Sequence, residues 1–251
     1  MVSDITMKLQ GILSTAWRGL VELGRACKEV GGLALLVVTL VLVTREALGD
    51  SQLLQPLWIA LARWLPLLAE PLLQHQVIAV VLQLVIPVLL VRLVHRRRLR
   101  EFGLGAGELS FWLPITAVVF AIQLPVVALY LARDPVYVRR YPSLGAARHG
   151  GMIFWTWEGS RVLYMISWEF LFRGYLLFAL QQRMGHLACV VQMVPFALMH
   201  MVSRKPVSEV FFTVGSGLLS GVFALLARSA WPIILLHAVG AVLLDVFIVY
   251  R

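Results

Sequence analysis

A chain of 251 residues that is 60% hydrophobic and 14% charged, with a mean hydropathy of +0.86, is not a soluble domain; such domains carry about 25% charged residues. The net charge of +9 does not point to nucleic acid, because Lys and Arg gather in the short connections between apolar runs, as membrane proteins place them. Cys27 and Cys189 stand far apart without metal-ligand spacing, which excludes a cysteine-type zinc cluster, and no sustained alternation suggests a barrel.

In chain order, residues 1–30 mix Lys8, Arg18, Arg25 and Lys28 with apolar positions and read as an amphipathic helix on the membrane surface. They lack a short apolar core followed by a small-residue cleavage site, so a cleaved signal peptide is not expected. An apolar run from Gly31 to about Thr44 begins the membrane helices. Residues 52–73 are apolar but carry Arg63, Glu70 and three prolines, so they either cross the membrane kinked or lie in the interface. Gln76 to Val94 is a clear span, stopped by His95-Arg96-Arg97-Arg98-Leu99-Arg100. A glycine-containing loop leads to a span over Phe111–Ala132 with Pro114 and Pro125 inside it.

Residues 133–151 form the longest clear polar connection. Before it lie the N-terminal membrane helices, 31–132. After it, over 152–250, come apolar segments at about 158–181, 186–201, 208–227 and 231–250, each carrying ionisable groups. The expected fold is all-α, a polytopic transmembrane bundle of about seven or eight membrane helices in one membrane domain.

Those four segments supply Glu169 and Arg173, then His200, then Glu209, then His237 and Asp245. A charge at bilayer depth costs at least ~2.5–3.5 kcal/mol, so such residues are rare and usually functional. Glu169 and Arg173 are four apart, in the favourable order on one helix face. At ~1.5 Å rise per residue, Glu169 and His200 lie about 20 and 21 Å from the turn that joins their helices. They are level, whereas His237 lies only ~10 Å from its own turn. Glu169 with His200 is therefore the firmer expected pairing. His237 and Asp245, eight apart, share a face.

Three motifs in order resemble the CPBP family, the CAAX-protease and bacteriocin-processing intramembrane endopeptidases, with a myxosortase-like subgroup as a plausible home. The family's Glu-Glu-x-x-x-Arg is here Trp168-Glu169-x-x-x-Arg173, its Phe-x-x-x-His runs from Phe196 to His200, and its His-x-x-x-Asn/Asp runs from His237 to Ala241. The resemblance covers about residues 155–250 and implies a peptidase in which a Glu and a His activate water while a second His stabilises the oxyanion. It assigns His200 as partner base and His237 as oxyanion donor; Arg173, and Asp245 one turn beyond Ala241, are the supporting candidates. Two positions depart from the pattern: the family's first Glu is Trp168, and its Asn/Asp is Ala241. Glu169 is then the first candidate base, although Arg173 beside it would make it a weaker one. Glu209 is the rival.

The resemblance favours a metal-free mechanism with no cofactor; a His₂Glu zinc site on His200, His237 and a carboxylate is the alternative. Expected partners are membrane lipid and a membrane-anchored or secreted protein or peptide, cut at a C-terminal sorting signal, leader or CAAX-like tail. The expected place is a bacterial cytoplasmic (inner) membrane. With seven spans the site opens away from the basic cluster at 95–100; with eight it opens to the cytoplasm. The competing classes are a non-catalytic relative acting in immunity or as a scaffold, and a proton-coupled transporter.

Overall fold

The computed structural model describes residues 14–19, 21–22, 24–26, 29–49, 52–203 and 205–251. The surface helix expected over 1–30 lies largely outside the described residues; 14–19, 21–22 and 24–26 are helical and exposed. The remainder is a helical bundle, with no strand among the described residues.

The helices are α1 (Val30–Gly49), α2 (Gln55–Ala62), α3 (Pro71–Val94), α4 (Leu109–Leu129), α5 (Pro135–Arg140), α6 (Gly151–Met184), α7 (Leu187–Val202), α8 (Val207–Ala227) and α9 (Trp231–Val249). Six helices among the described residues are long and apolar enough to cross a membrane, and this is an integral membrane protein. The 16-residue α7 is shorter; at 1.5 Å per residue it covers about 24 Å of a ~30 Å hydrocarbon core. Residues 52–73 are not one continuous crossing. The apolar helix over Gln52–Ala62 is followed by a separate 3₁₀ turn at Pro66–Ala69, and α3 starts at Pro71. Prolines 56, 66 and 71 each stand in the first turn of their element, where a missing N–H is tolerated and φ is already helical.

One helix organises the others. α6 has 34 residues, about 51 Å of helix, and 72% of its apolar window is buried, against 17–44% in the other five long helices. The main core cluster draws Ala34, Val38 and Val41 of α1, Val91 of α3 and Phe102 onto the Phe170–Leu177 stretch of α6, and closes with Ala188, Phe196, Ala224 and Ile233. The exposed leucines, valines and phenylalanines of α1, α4, α7 and α8 face outward, as lipid-facing surfaces do.

The two ends of the bundle are tied differently. At one end the 99–108 connection meets the α8–α9 turn: Ala230 N–H donates to the Gly103 carbonyl at 2.9 Å, and Glu108 N–H to that of Ala227 at 2.9 Å. Gly103 has φ +83°, and a Cβ there would meet Phe178 at 3.0 Å and Ala230 at 3.3 Å. Phe178 is therefore level with the α8–α9 turn, and α6 continues beyond it. At the other end Arg140 donates to the Ser203 carbonyl at 2.9 Å, Arg251 to that of Ala132 at 2.9 Å, and Gly151 N–H to the Tyr250 hydroxyl at 3.2 Å.

Candidate active site

Glu169 is the last residue before a π-helical turn, Phe170–Leu176, which contains Arg173. Such turns recur at functional sites. Both side chains are 1% exposed, with Arg173 Nη1 3.1 Å from Glu169 Oε2. The contact is an ion pair and not an aligned hydrogen bond. The guanidinium carbon lies 3.5 Å from the centre of the Phe196 ring, a desolvated cation–π contact of about 2 kcal/mol. The first residue of the second motif thus holds the last residue of the first. Gly217 of α8 leaves room for this: a Cβ there would stand 3.1 Å from Met193, 3.2 Å from Phe196 and 3.6 Å from Arg173.

The other oxygen of Glu169 is taken by His237, whose Nδ1 lies 2.5 Å from Oε1. This corrects the expected order of pairing, which put His200 nearest Glu169. The depth argument counted from helix ends, but α6 overruns the α8–α9 turn. Measured from Phe178 and Ala230, which are level, Glu169 and His237 are nine and seven residues in, a difference of about 3 Å.

His200 Nδ1 sits 2.9 Å from the carbonyl oxygen of Phe196. A carbonyl can only accept, so Nδ1 carries the proton and Nε2 keeps its lone pair. At His237 the Glu169 carboxylate, paired with Arg173, accepts from Nδ1, and Nε2 is not engaged by that bond. Both imidazoles line one cleft of about 60 Å³, together with Tyr164, Met165, Trp168, Met199, Ser203, Lys205 and Glu209. That space suits a few water molecules. Ser203, Lys205 and Glu209 in its lining place it toward the bundle end that carries the 203–206 connection, opposite the basic cluster. A larger hollow of about 390 Å³ between α2 and the start of α3 holds none of the candidate residues.

Glu209 lines the cleft and is 21% exposed, against 1% for Glu169. Its carboxylate lies 3.0 Å from Lys205 Nζ and accepts from the Tyr141 hydroxyl at 3.4 Å. Lys205 also hydrogen-bonds Tyr141. Burial works against the Lys205 charge, but Tyr141 and Glu209 together hold its pKa above the usual value.

Trp168 fills the place of the motif's first acid. Its indole is buried, lies edge-on to His200 at 5.8 Å and packs against Phe172 and Phe196. Behind it stands Arg45 of α1, 5.3 Å from the indole and 5.8 Å from the Tyr164 ring, with Nε donating to His75 Nε2 at 3.0 Å. Asp245 is not in the cleft. It is fully buried and pairs with Arg161, whose Nη1 is also 3.4 Å from Glu158.

Arg45, Glu158, Arg161, Lys205 and Tyr141 were missed from sequence. Arg45 falls one residue beyond the apolar run as read. Arg161 was legible in one respect, since it precedes Glu169 by the eight residues that separate His237 from Asp245. Among the described residues no three His, Cys, Asp or Glu groups stand in a cluster able to hold a metal ion.

No curated protein and no solved structure matches the chain. Residues 151–243 match the family model for type II CAAX prenyl endopeptidase Rce1-like proteins. That segment, which contains Glu169, Arg173, His200, Glu209 and His237, carries a domain similar to the CPBP peptidases.

Proposed function

We propose that this protein is an intramembrane endopeptidase that hydrolyses a peptide bond close to the membrane without a metal or other cofactor, the two imidazoles of the cleft sharing the work. The observation that carries this is that His200 and His237 line one cleft with both Nδ1 atoms committed to acceptors and both Nε2 atoms left for chemistry. His200 Nε2 takes a proton from water, and the hydroxide attacks the scissile carbonyl. His237, protonated at both nitrogens against the Glu169 carboxylate, donates from Nε2 to the oxyanion. His200 then returns its proton to the leaving amine, as in the general scheme of histidine-assisted acyl transfer. An oxyanion donor in such a position is worth about 2.7–4 kcal/mol.

Glu169 is in this reading the group that orients and charges His237, since both its oxygens face Arg173 and His237. Glu209 is the carboxylate that water in the cleft reaches, and it supports His200. The match of Glu169 to the family motif favours a second reading, in which Glu169 is itself the base. Residues 152–250 do the hydrolytic work and 31–132 brace them within one membrane domain. Arg45 on Trp168 supports the idea of bracing.

Counting α7 with the six long helices gives seven crossings. If the Arg96–Arg100 cluster is cytoplasmic by the positive-inside rule, the cleft faces outward from a bacterial inner membrane. The substrate class that suits this is an exported protein or peptide with a membrane-proximal C-terminal sorting signal or leader, as expected of a myxosortase-like enzyme.

The test is cleavage of a pool of membrane-anchored C-terminal tail peptides by purified wild type, Glu169→Ala, Glu209→Ala and His200→Ala, read by mass spectrometry. The proposal expects loss in His200→Ala and in both Glu variants. Wild-type processing by His200→Ala contradicts it. Full activity in Glu209→Ala with none in Glu169→Ala moves the base to Glu169.

A further inference from the structure

α6 and α9 meet at two polar rungs. Arg161 pairs with Asp245 and Glu169 with His237. From 161 to 169 is eight residues, and from 245 back to 237 is eight, so the helices are antiparallel and the rungs are in register, about 12 Å apart on one shared face. At the far end of the pair the Gly151 N–H donates to the Tyr250 hydroxyl at 3.2 Å, and Tyr250 packs on Phe154 at 5.2 Å. The second rung is dry: Arg161 is 6% exposed, Glu158 2% and Asp245 0%. Arg161 is further enclosed by the rings of Tyr141 at 5.8 Å and Trp157 at 6.0 Å, and Glu158 reaches it from its own helix.

We infer that the Arg161–Asp245 pair is a register clamp: it fixes the axial position of α9 against α6, and thereby holds the His237 imidazole on the Glu169 carboxylate. The other contacts between these helices are largely apolar, and α9 has an apolar surface nearly all round. Apolar packing alone tolerates sliding, whereas an ion pair in a low-dielectric interior has one good geometry. A slip of one residue moves a side chain by about 1.5 Å along the axis and turns it by about 100°. A hydrogen bond of 2.5 Å does not survive that. Arg161 and Asp245 touch neither the cleft nor water in it, so they are positioning residues. Glu158 orients Arg161 but, lying on the same helix, sets no register.

The inference rests on the hydrolytic reading of Glu169 and His237, and its test separates the two. Full-length protein labelled with ¹⁵N-histidine is examined by NMR in detergent micelles, with the Nδ1 proton of His237 assigned by its absence in His237→Gln. That proton, hydrogen-bonded to a carboxylate, should resonate far downfield in wild type. In Asp245→Asn it should disappear or move upfield. In the charge-swapped Arg161→Asp/Asp245→Arg protein it should return. On the tail-peptide pool, Asp245→Asn should lose kcat by about 10- to 100-fold, the scale of a ~1 Å misplacement, with KM within twofold, and the swap should recover most of it.

If Asp245→Asn does not fold, the swap and the neutral pair Arg161→Gln/Asp245→Asn decide. A downfield proton in the swap but not in the neutral pair supports the clamp. An unchanged His237 proton in any folded protein lacking the ion pair overturns it, as does a folded swap without that proton. A wild type that shows the proton but cleaves nothing contradicts the hydrolytic reading and leaves the clamp standing.

Discussion

Two carboxylates sit near the same pair of histidines in opposite settings. Glu169 is 1% exposed and held from both sides by Arg173 and His237. Glu209 is 21% exposed, lines the cleft, and is held by Lys205 and Tyr141 at its rim. A buried carboxylate with both oxygens engaged can orient and charge an imidazole but meets no water. One at the rim meets water, and the cation beside it stabilises its anion. In the proposed function this contrast divides the work that a two-acid motif would share, with Trp168, which lines the cleft, in the place of the first acid.

This division can be broken at four places. The largest effect is expected from Glu169→Gln. It leaves Arg173 buried without its partner, which costs about 3–5 kcal/mol, and it removes the charge behind His237. Cleavage should fall by roughly 10²–10³, and thermal unfolding should come earlier. Glu209→Gln should lower kcat less, by about tenfold, with a smaller drop in melting temperature than Glu169→Gln, because its ion pair with Lys205 is partly open to solvent. If Glu209→Gln proved the more damaging of the two, the assignment of roles would reverse.

Gly217→Val tests the support rather than the chemistry. Its side chain would press on Met193, Phe196 and the Arg173 guanidinium. Overpacking of this kind costs about 1–3 kcal/mol, and a shifted Arg173 should lower kcat with KM little changed.

The smallest effect concerns His95, which lies beyond the end of α3, stacks on Phe102 at 5.8 Å and contacts the Tyr175 hydroxyl at 3.3 Å. Burial, and then the neighbouring Arg97, push its pKa below the usual value. Its folded pKa is lower than its unfolded one, about 6.5. The stability that this provides is therefore present above the unfolded value and lost as pH falls through the folded one. Between pH 7 and pH 5 the melting temperature of His95→Phe should fall by about 1–3 °C less than that of wild type. Parallel curves would remove His95 from the account.

Much of the bundle was legible because hydropathy reports it directly: the apolar runs are helical, the basic stop at His95–Arg100 follows the helix that ends at Val94, and the connection read over 133–151 ends where the next long helix begins, at Gly151. Glu169, His200 and His237 stand out in the sequence for the same reason, being costly exceptions in apolar helices. Their pairing does not. It depends on α6 running past its neighbours' turn, which is a fact of packing around Gly103 and not of any local pattern. Arg45 escaped because the apolar run was ended at Thr44, although a cation there obeys the same rule as Glu169. The Arg161–Asp245 rung was half legible: both eight-residue spacings are in the sequence, but only the fold shows that the two helices are antiparallel neighbours.

The central claim is that His200 and His237 act together on one water and one carbonyl. The most direct measurement is the single-turnover cleavage rate of His200→Ala, His237→Ala and the double variant, each confirmed folded by its thermal unfolding. Groups that act as a unit are strongly non-additive. Each single variant should lose about 10²–10⁴ in rate, and the double variant should be little worse than either. Losses that multiply in the double variant, or wild-type cleavage by His200→Ala, would contradict the account.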